Sequence, residues 1–150
     1  MKRIVILSFL SLLSCKESYT NQSNQQMKTE VPGKVITLDS LESMFTNISK
    51  TSKWDMDNTM LWGYFFTDSN PESFMNIKTD LESQGYTFVD IYQADRDSED
   101  ENPLWYLHVE KIETHSPSSL DARNDELYKL AHKHNISSYD GMDVGPTKQN

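Results

Sequence analysis

The side chains best placed to bind an ion or a charged partner are the carboxylates of one acidic segment. Five carboxylates fall within seven positions, at Asp95, Asp97, Glu99, Asp100 and Glu101. A segment of this kind can bind calcium or the basic surface of a protein. Its spacing does not fit an EF-hand loop, which needs a central glycine and a late glutamate. The segment therefore predicts either a docking site for a basic partner or a solvated hairpin loop.

A second pair of carboxylates lies near the C-terminus. Asp140 and Asp143 flank Gly141 and Met142. We predict a tight turn here, with two carboxylates available for partner recognition or for an ion. In the alternative interpretation the turn is purely structural, because Gly141 takes a positive φ angle and Asp140 hydrogen-bonds to the local backbone.

The other polar residues follow no catalytic or metal-binding pattern. His132 and His134 are two positions apart on a predicted helix, about 200° around its axis, so they cannot hold one metal ion. No serine stands in a nucleophile elbow. The only cysteine, Cys15, excludes an intramolecular disulfide and a cysteine-based zinc site. We predict a protein without enzymatic activity, metal or cofactor.

The net charge limits the classes of partner. The formal net charge is −9, and loss of a leader that carries Lys2 and Arg3 changes it to −11. A surface this acidic repels phosphate backbones, whose affinity for proteins comes largely from lysine and arginine. We therefore expect a protein partner with a basic surface and no direct binding of nucleic acid.

Residues 1–15 have the features of a bacterial lipoprotein leader. Lys2 and Arg3 precede an apolar segment at positions 4–13 that is too short to span a bilayer as a stable helix. The sequence Leu12-Leu13-Ser14-Cys15 resembles a lipobox, in which the cysteine becomes the first mature residue and carries the lipid. We predict lipidation of Cys15 and an extracytoplasmic, membrane-anchored protein of the bacterial envelope. The alternative is an ordinary secretory leader with an incidental cysteine.

Two further segments separate this leader from the main domain. Residues 16–34 contain almost no apolar side chains, so they cannot bury enough surface to offset their conformational entropy, and we predict a disordered tether. In residues 35–53, apolar side chains recur at helical spacing and predict an accessory helix. Residues 54–146 are expected to form the main domain, and residues 147–150 a tail.

The apolar run at positions 60–66 predicts the central strand of that domain, because turn residues bound it on both sides. Gly63 within the run indicates a bulge or a close approach of another group. Helical patterns follow at 70–84 and 118–134, and strand patterns at 86–92, 104–112 and 136–139. This order predicts an α+β fold, a ferredoxin-like βαββαβ sandwich whose antiparallel sheet carries both helices on one face.

Alternation along the strands assigns side chains to the two faces of the sheet. The helix-covered face is expected to contain Val89, Ile91, Leu107 and Val109. The opposite face is expected to contain Phe88, Tyr92, Tyr106 and His108. Aromatic residues on a sheet of this topology can stack nucleic-acid bases, but this chain has few basic residues to surround them. We instead expect the accessory helix to cover them.

Several short stretches resemble a known family in their order and spacing. They are Trp62-Gly63-Tyr64-Phe65-Phe66-Thr67-Asp68, Gly85-Tyr86, Leu107-His108-Val109-Glu110-Lys111, Ser119-Leu120-Asp121, Leu130-Ala131 and, above all, Tyr139-Asp140-Gly141-Met142-Asp143-Val144-Gly145-Pro146. Together they resemble the RraB-like family, regulators that inhibit ribonuclease E, over about residues 54–146. The resemblance implies a ferredoxin-like, acidic, non-enzymatic protein that binds the endoribonuclease rather than RNA.

Three functional hypotheses follow. The first is a membrane-tethered protein-binding module that offers the acidic segment 95–101 and the turn 140–143 to a basic partner. The second is the family role itself, cytoplasmic inhibition of ribonuclease E, which requires that residues 1–15 do not act as an export signal. The third is an extracytoplasmic ligand-binding or hydrolytic lipoprotein, for which the sequence shows no site. The sequence leaves the oligomeric state open.

Overall fold

The computed structural model describes residues 30–96 and 102–147, and its centre is a four-stranded antiparallel sheet. The strands are β1 (Met60–Asp68), β2 (Thr87–Gln93), β3 (Trp105–Glu113) and β4 (Ser138–Pro146). The helices are α1 (Leu38–Thr51), α2 (Phe74–Ser83) and α3 (Pro117–Lys133). The sheet order is β2-β3-β1-β4. With α1 set aside, this is the predicted βαββαβ arrangement, so the ferredoxin-like α+β fold is confirmed.

Some predicted features lie outside the described residues. They are the leader 1–15 with Cys15, positions 16–29 of the tether, positions 148–150 of the tail, and four carboxylates of the acidic segment: Asp97, Glu99, Asp100 and Glu101. Within the described part of the chain, no helix has both the length and the apolar character needed to cross a membrane.

Hydroxyl side chains determine where α1 and α3 begin. The hydroxyl of Thr37 accepts a hydrogen bond from the Ser40 amide, and the Ser40 hydroxyl accepts one from the Thr37 amide. Ser116 and Ser119 repeat this reciprocal arrangement at the start of α3. Each pair satisfies two backbone donors that the first helical turn leaves unpaired.

The hydrophobic core lies between the sheet and the helices. Trp62, Tyr64 and Phe66 of β1 are fully buried. They belong to one cluster with residues of α2 and α3, among them Phe74, Ile77, Leu81, Leu120 and Leu127. The run at 60–66 is therefore a central strand, as its composition predicts.

A β-bulge in β2 exchanges the predicted faces of two residues. Phe88 pairs with Val109, but the next pair is Asp90 with His108, so Val89 is the extra residue. Because of this extra residue, the side chains before the bulge point to the opposite face from the one that simple alternation along β2 predicts. Phe88 therefore joins the helix-covered face, whereas Val89 is 42% exposed. The predicted positions of Phe88 and Val89 were wrong for this reason.

A second bulge makes the last strand longer than predicted. Phe66 pairs with Tyr139 and Phe65 with Gly141, which leaves Asp140 as the extra residue. The prediction of a short strand at 136–139 followed by a tight turn is wrong, because β4 continues through residues 140–143. Gly141 has the expected positive φ angle, 141°, but at a bulge instead of a turn.

The accessory helix α1 lies on the same side of the sheet as α2 and α3. Phe45 of α1 stacks on Trp62, with 6.2 Å between ring centroids, and α1 packs against α3. Trp62 and Tyr64 belong to the helix-covered face, since Tyr64 pairs with the buried Val109. The expectation that α1 covers the aromatic residues of the opposite face is therefore wrong.

Candidate protein-binding face

No described helix packs on the second side of the sheet, which we call the open face. On β1 and β3, the side chains of this face alternate with those of the buried core residues. On β2 and β4, they belong to the residues that pair with these positions. The aromatic, histidine and carboxylate members of this face are Phe65, Asp90, Tyr92, Tyr106, His108, Glu110, Asp140 and Asp143. Ile112, at 60% exposure, extends this face along β3.

Two stacked ring pairs occupy the middle of the open face. Tyr92 and Tyr106 are paired across β2 and β3, with ring centroids 5.4 Å apart and planes only 8° from parallel. Phe65 and His108 are paired across β1 and β3, with centroids 4.4 Å apart. Tyr92 is 39% exposed. Such cross-strand aromatic pairs stabilise a sheet and hold their rings in fixed positions.

Carboxylates surround the tyrosine pair. Partial burial and then the charges of Asp140, Asp143 and Asp90 raise the pKa of Tyr92 above its ordinary value. Partial burial and then the charge of Asp140 raise the pKa of Tyr106. Both effects require the Asp140 carboxylate to lie close to the two phenols. The bulge that contains Asp140 thus places a negative charge beside two partly exposed aromatic rings.

Gly63 permits a close approach beneath the second ring pair. Its amide donates a hydrogen bond of 3.1 Å to Asp143 Oδ1. A Cβ atom at this position would lie 2.3 Å from that oxygen and 2.9 Å from His108 Nε2. The absence of a side chain at Gly63 therefore allows Asp143 and His108 to cross the strand, as the sequence indicates for a glycine in mid-strand.

Neither the described lysines nor Arg123 forms an ion pair with the four carboxylates of the open face. One of them, Glu110, has a histidine nearby: His108 Nε2 lies 3.8 Å from Glu110 Oε1. The ion pairs of residues 30–96 and 102–147 otherwise involve carboxylates of α2, α3 and the end of β3. The open face therefore carries concentrated negative charge that the described lysines and Arg123 do not neutralise.

The residues singled out in the sequence occupy different places. Asp95 is exposed just beyond the end of β2. Asp140 and Asp143 lie together on the open face, with Gly141 between them on β4. Met142 is on the helix-covered side, where its sulfur lies 3.8 Å from the Tyr139 hydroxyl. The structure thus brings the two aspartates of this segment to one surface and turns Met142 away from it.

Sequence reasoning missed three members of the open face as site residues. Glu110 follows Tyr106 and His108 at alternate positions of one strand, so its place could have been read from the sequence. Phe65 and Asp90 could not, because their faces depend on strand register and on the bulge in β2.

Other candidate sites are weaker. A cleft of about 390 Å³ lies between the C-terminal half of α1 and the loop before β1, and its lining includes Phe45, Trp54 and Asp55. The Asp55 carboxylate is engaged within its own turn, by the Asp57 amide and the Asn58 side chain. In the described ranges, no three histidine, cysteine or carboxylate residues are placed to hold a metal ion.

Comparison with known proteins identifies the family. No individual curated protein matches the sequence. A family model described as RraB, regulator of ribonuclease activity B, matches residues 39–144 and so includes α1 and all four strands. Because this match covers most of the chain, the protein belongs to the RraB family, whose members are regulators rather than enzymes.

Proposed function

We propose that this protein is a non-enzymatic, protein-binding regulator that a lipid on Cys15 holds at the outer side of a bacterial membrane. The observation that carries the binding role is the family match over residues 39–144. The open face supports it, because a rigid sheet surface with aromatic rings and unneutralised carboxylates suits a basic protein surface.

The sequence of the N-terminal region supports the membrane tether. Lys2 and Arg3, the apolar segment 4–13 and the lipobox-like Leu12-Leu13-Ser14-Cys15 stand in the order that a lipoprotein leader requires. The polar residues 16–29 then supply a linker between the lipid and the domain, since Val31 already belongs to the core and Lys34 pairs with Asp121 and Asp125 of α3. The single cysteine of the chain occupies the one position where lipidation takes place.

A second candidate function is inhibition of ribonuclease E in the cytoplasm. The family description, regulator of ribonuclease activity B, favours it. It requires that residues 1–15 are not a functional export signal, because ribonuclease E acts inside the cell. The two candidates share the binding domain and differ in the location of the protein and therefore in its partner.

Membrane fractionation with intact-mass analysis separates the two candidates. We expect wild-type protein in the membrane fraction, with Cys15 as a lipid-modified first residue, and we expect the Cys15→Ala variant to be released. Ser14→Ala is the matched control, and it should remain at the membrane. An unprocessed, soluble wild-type protein would overturn the tether and favour cytoplasmic inhibition.

The binding role has its own test. Purified ribonuclease E is the probe for the cytoplasmic candidate, and a pull-down at increasing salt concentration is the measurement. Binding through the acidic surface should weaken steeply as salt increases, because exposed charges are screened beyond about 8 Å at physiological ionic strength. Binding that is insensitive to salt would contradict an electrostatic role for this surface.

A further inference from the structure

We propose that the open face binds an arginine side chain of its partner protein, with the guanidinium group against the Tyr92–Tyr106 pair and hydrogen-bonded to Asp140. This inference rests on the proposed protein-binding function and names the chemistry that the partner must present. The occupant is a polypeptide segment with exposed arginine.

The first argument is charge complementarity. Asp90, Asp140 and Asp143 are close enough to Tyr92 to raise its pKa through their charges. The described lysines and Arg123 pair with other carboxylates or with none, and none of them pairs with these three. The strand pairing places all three on the same face of the sheet, where like charges repel one another, so a cation that enters this region relieves the repulsion. A cationic group is therefore the favoured occupant.

The second argument concerns the aromatic rings. Cations stack on aromatic rings elsewhere in this chain: Lys78 Nζ lies 4.7 Å from the centroid of the Phe88 ring, and Lys111 Nζ lies 4.7 Å from that of Tyr86. Neither of these lysines, nor Arg123, takes a corresponding position over Tyr92 or Tyr106. The open face thus offers aromatic rings for a cation–π contact and carboxylates for an ion pair, so one cation can use both.

The third argument distinguishes arginine from lysine. A guanidinium group is planar, so it can stack on a tyrosine ring while its N–H groups hydrogen-bond to a carboxylate in the same plane. An ammonium group is a compact, strongly hydrated charge that gains less from this combination. The arrangement of Asp140 beside two nearly parallel phenol rings fits the planar cation better.

Titration of the purified full chain with model peptides tests the inference. The probes are a short arginine–glycine repeat peptide and length-matched peptides in which lysine or neutral citrulline replaces every arginine. We expect the arginine peptide to bind about fivefold more tightly than the lysine peptide and the citrulline peptide not to bind. In NMR spectra, the largest shifts should occur at Tyr92, Tyr106 and Asp140.

Variants locate the contact. Asp140→Asn should weaken binding of the arginine peptide by about tenfold, because it removes the charged acceptor. Tyr106→Leu should remove the preference for arginine over lysine while much of the charge attraction persists. Asp57→Asn is the matched control: it makes the same change of charge at an exposed turn before β1 and should leave binding unchanged.

Three results would overturn the inference. They are equal binding of the arginine and lysine peptides, equal effects of Asp140→Asn and Asp57→Asn, or spectral shifts confined to other surfaces. Failure of the proposed function is recognised separately. A soluble, unmodified protein whose open face still prefers arginine refutes the membrane tether alone, whereas a lipid-anchored protein that ignores all three peptides refutes the arginine site alone.

Discussion

Carboxylates on the two sides of the sheet have different neighbours. On the helix-covered side, several of them are paired with lysine or arginine within the chain. Lys34 bridges Asp121 and Asp125, and Arg123 bridges Glu113 and Glu126. On the open face, neither the described lysines nor Arg123 pairs with Asp90, Glu110, Asp140 or Asp143. The same residue type therefore contributes to internal cohesion on one side and remains available to a second molecule on the other.

Glu113 is the most strongly paired of the helix-side carboxylates. Its Oε1 atom accepts a 2.7 Å hydrogen bond from the Tyr64 hydroxyl, and its Oε2 atom accepts a 2.9 Å bond from Arg123. His115 Nε2 lies 3.2 Å from Oε1. Burial acts to raise the pKa of Glu113, but the His115 and Tyr64 hydrogen bonds and the Arg123 charge outweigh it and lower the pKa to about 2.

The comparison teaches that acidity alone does not mark a binding surface. Most described residues of α3 that carry charge are engaged with other parts of the fold, whereas the open-face carboxylates have only polar and aromatic neighbours. A carboxylate that lacks an internal cation adds repulsion to the folded state. Such residues are informative about function because the described fold gives them no compensating ion pair.

The largest expected effect comes from breaking the Glu113 cluster. Arg123→Ala removes the nearest cation of the partly buried Glu113, beside which Lys111 and His115 remain, so the free energy of unfolding should fall by roughly 3 kcal/mol. Lys129→Ala, at an exposed position of the same helix, should change it by less than about 0.5 kcal/mol. Urea denaturation measures both values. Similar losses for the two variants would contradict the assignment of the cluster to stability.

The pH dependence of stability tests the same cluster. The folded-state pKa of Glu113 is lowered to about 2, so its contribution is fully present above the ordinary glutamate pKa and is lost as the pH falls toward 2. Linkage predicts a loss of roughly 2–3 kcal/mol over this interval. Glu113→Gln should be less stable near neutral pH and should show a shallower acid decline. Parallel declines for wild type and variant in pH-dependent urea melts would refute the assignment.

A substitution at Gly63 extends the comparison to the open face. In Gly63→Ala the new Cβ collides with Asp143 and His108, so we expect a loss of roughly 1–3 kcal/mol in thermal or urea unfolding. Gly145→Ala is the control, because a Cβ there has no neighbour within 4 Å. If the two variants are equally stable, the close approach at Gly63 is not a constraint on the fold.

The smallest effect should separate the two classes of carboxylate directly. Asp125→Asn removes one partner of Lys34 and should cost about 1 kcal/mol. Asp140→Asn removes a negative charge that has no described cation and should change stability by less than about 0.5 kcal/mol. Differential urea melts at low salt give the comparison. A larger loss for Asp140→Asn would show that this residue serves the fold.

The sequence was a good guide to elements whose signals are local. The apolar run at 60–66 identified the central strand, and the helical pattern at 70–84 identified α2 together with the 3₁₀ turn Pro71–Ser73 that precedes it. Asn70 accepts a hydrogen bond from the Glu72 amide, and Pro71 has no amide hydrogen to leave unpaired. These features depend only on residues a few positions apart, so they can be predicted from the local sequence alone.

Features that depend on pairing between strands were not predictable in this way. The bulges at Val89 and Asp140 are defined only against β3 and β1, and each one reverses the alternation from which faces are inferred. For that reason Asp140 and Asp143 were recognised as candidate binding residues but assigned to a turn. Phe65 and Asp90 join them only once the register is known.

The two bulges have a consequence for self-association. β2 and β4 are the edge strands of the sheet, and a regular edge offers a row of unpaired amides and carbonyls to a second chain. An extra residue interrupts that row, so each edge is a poor template for continuing the sheet from one molecule to the next. Copies of this domain at high local concentration should therefore remain separate, because their bulged edge strands cannot form a regular ladder of hydrogen bonds with one another.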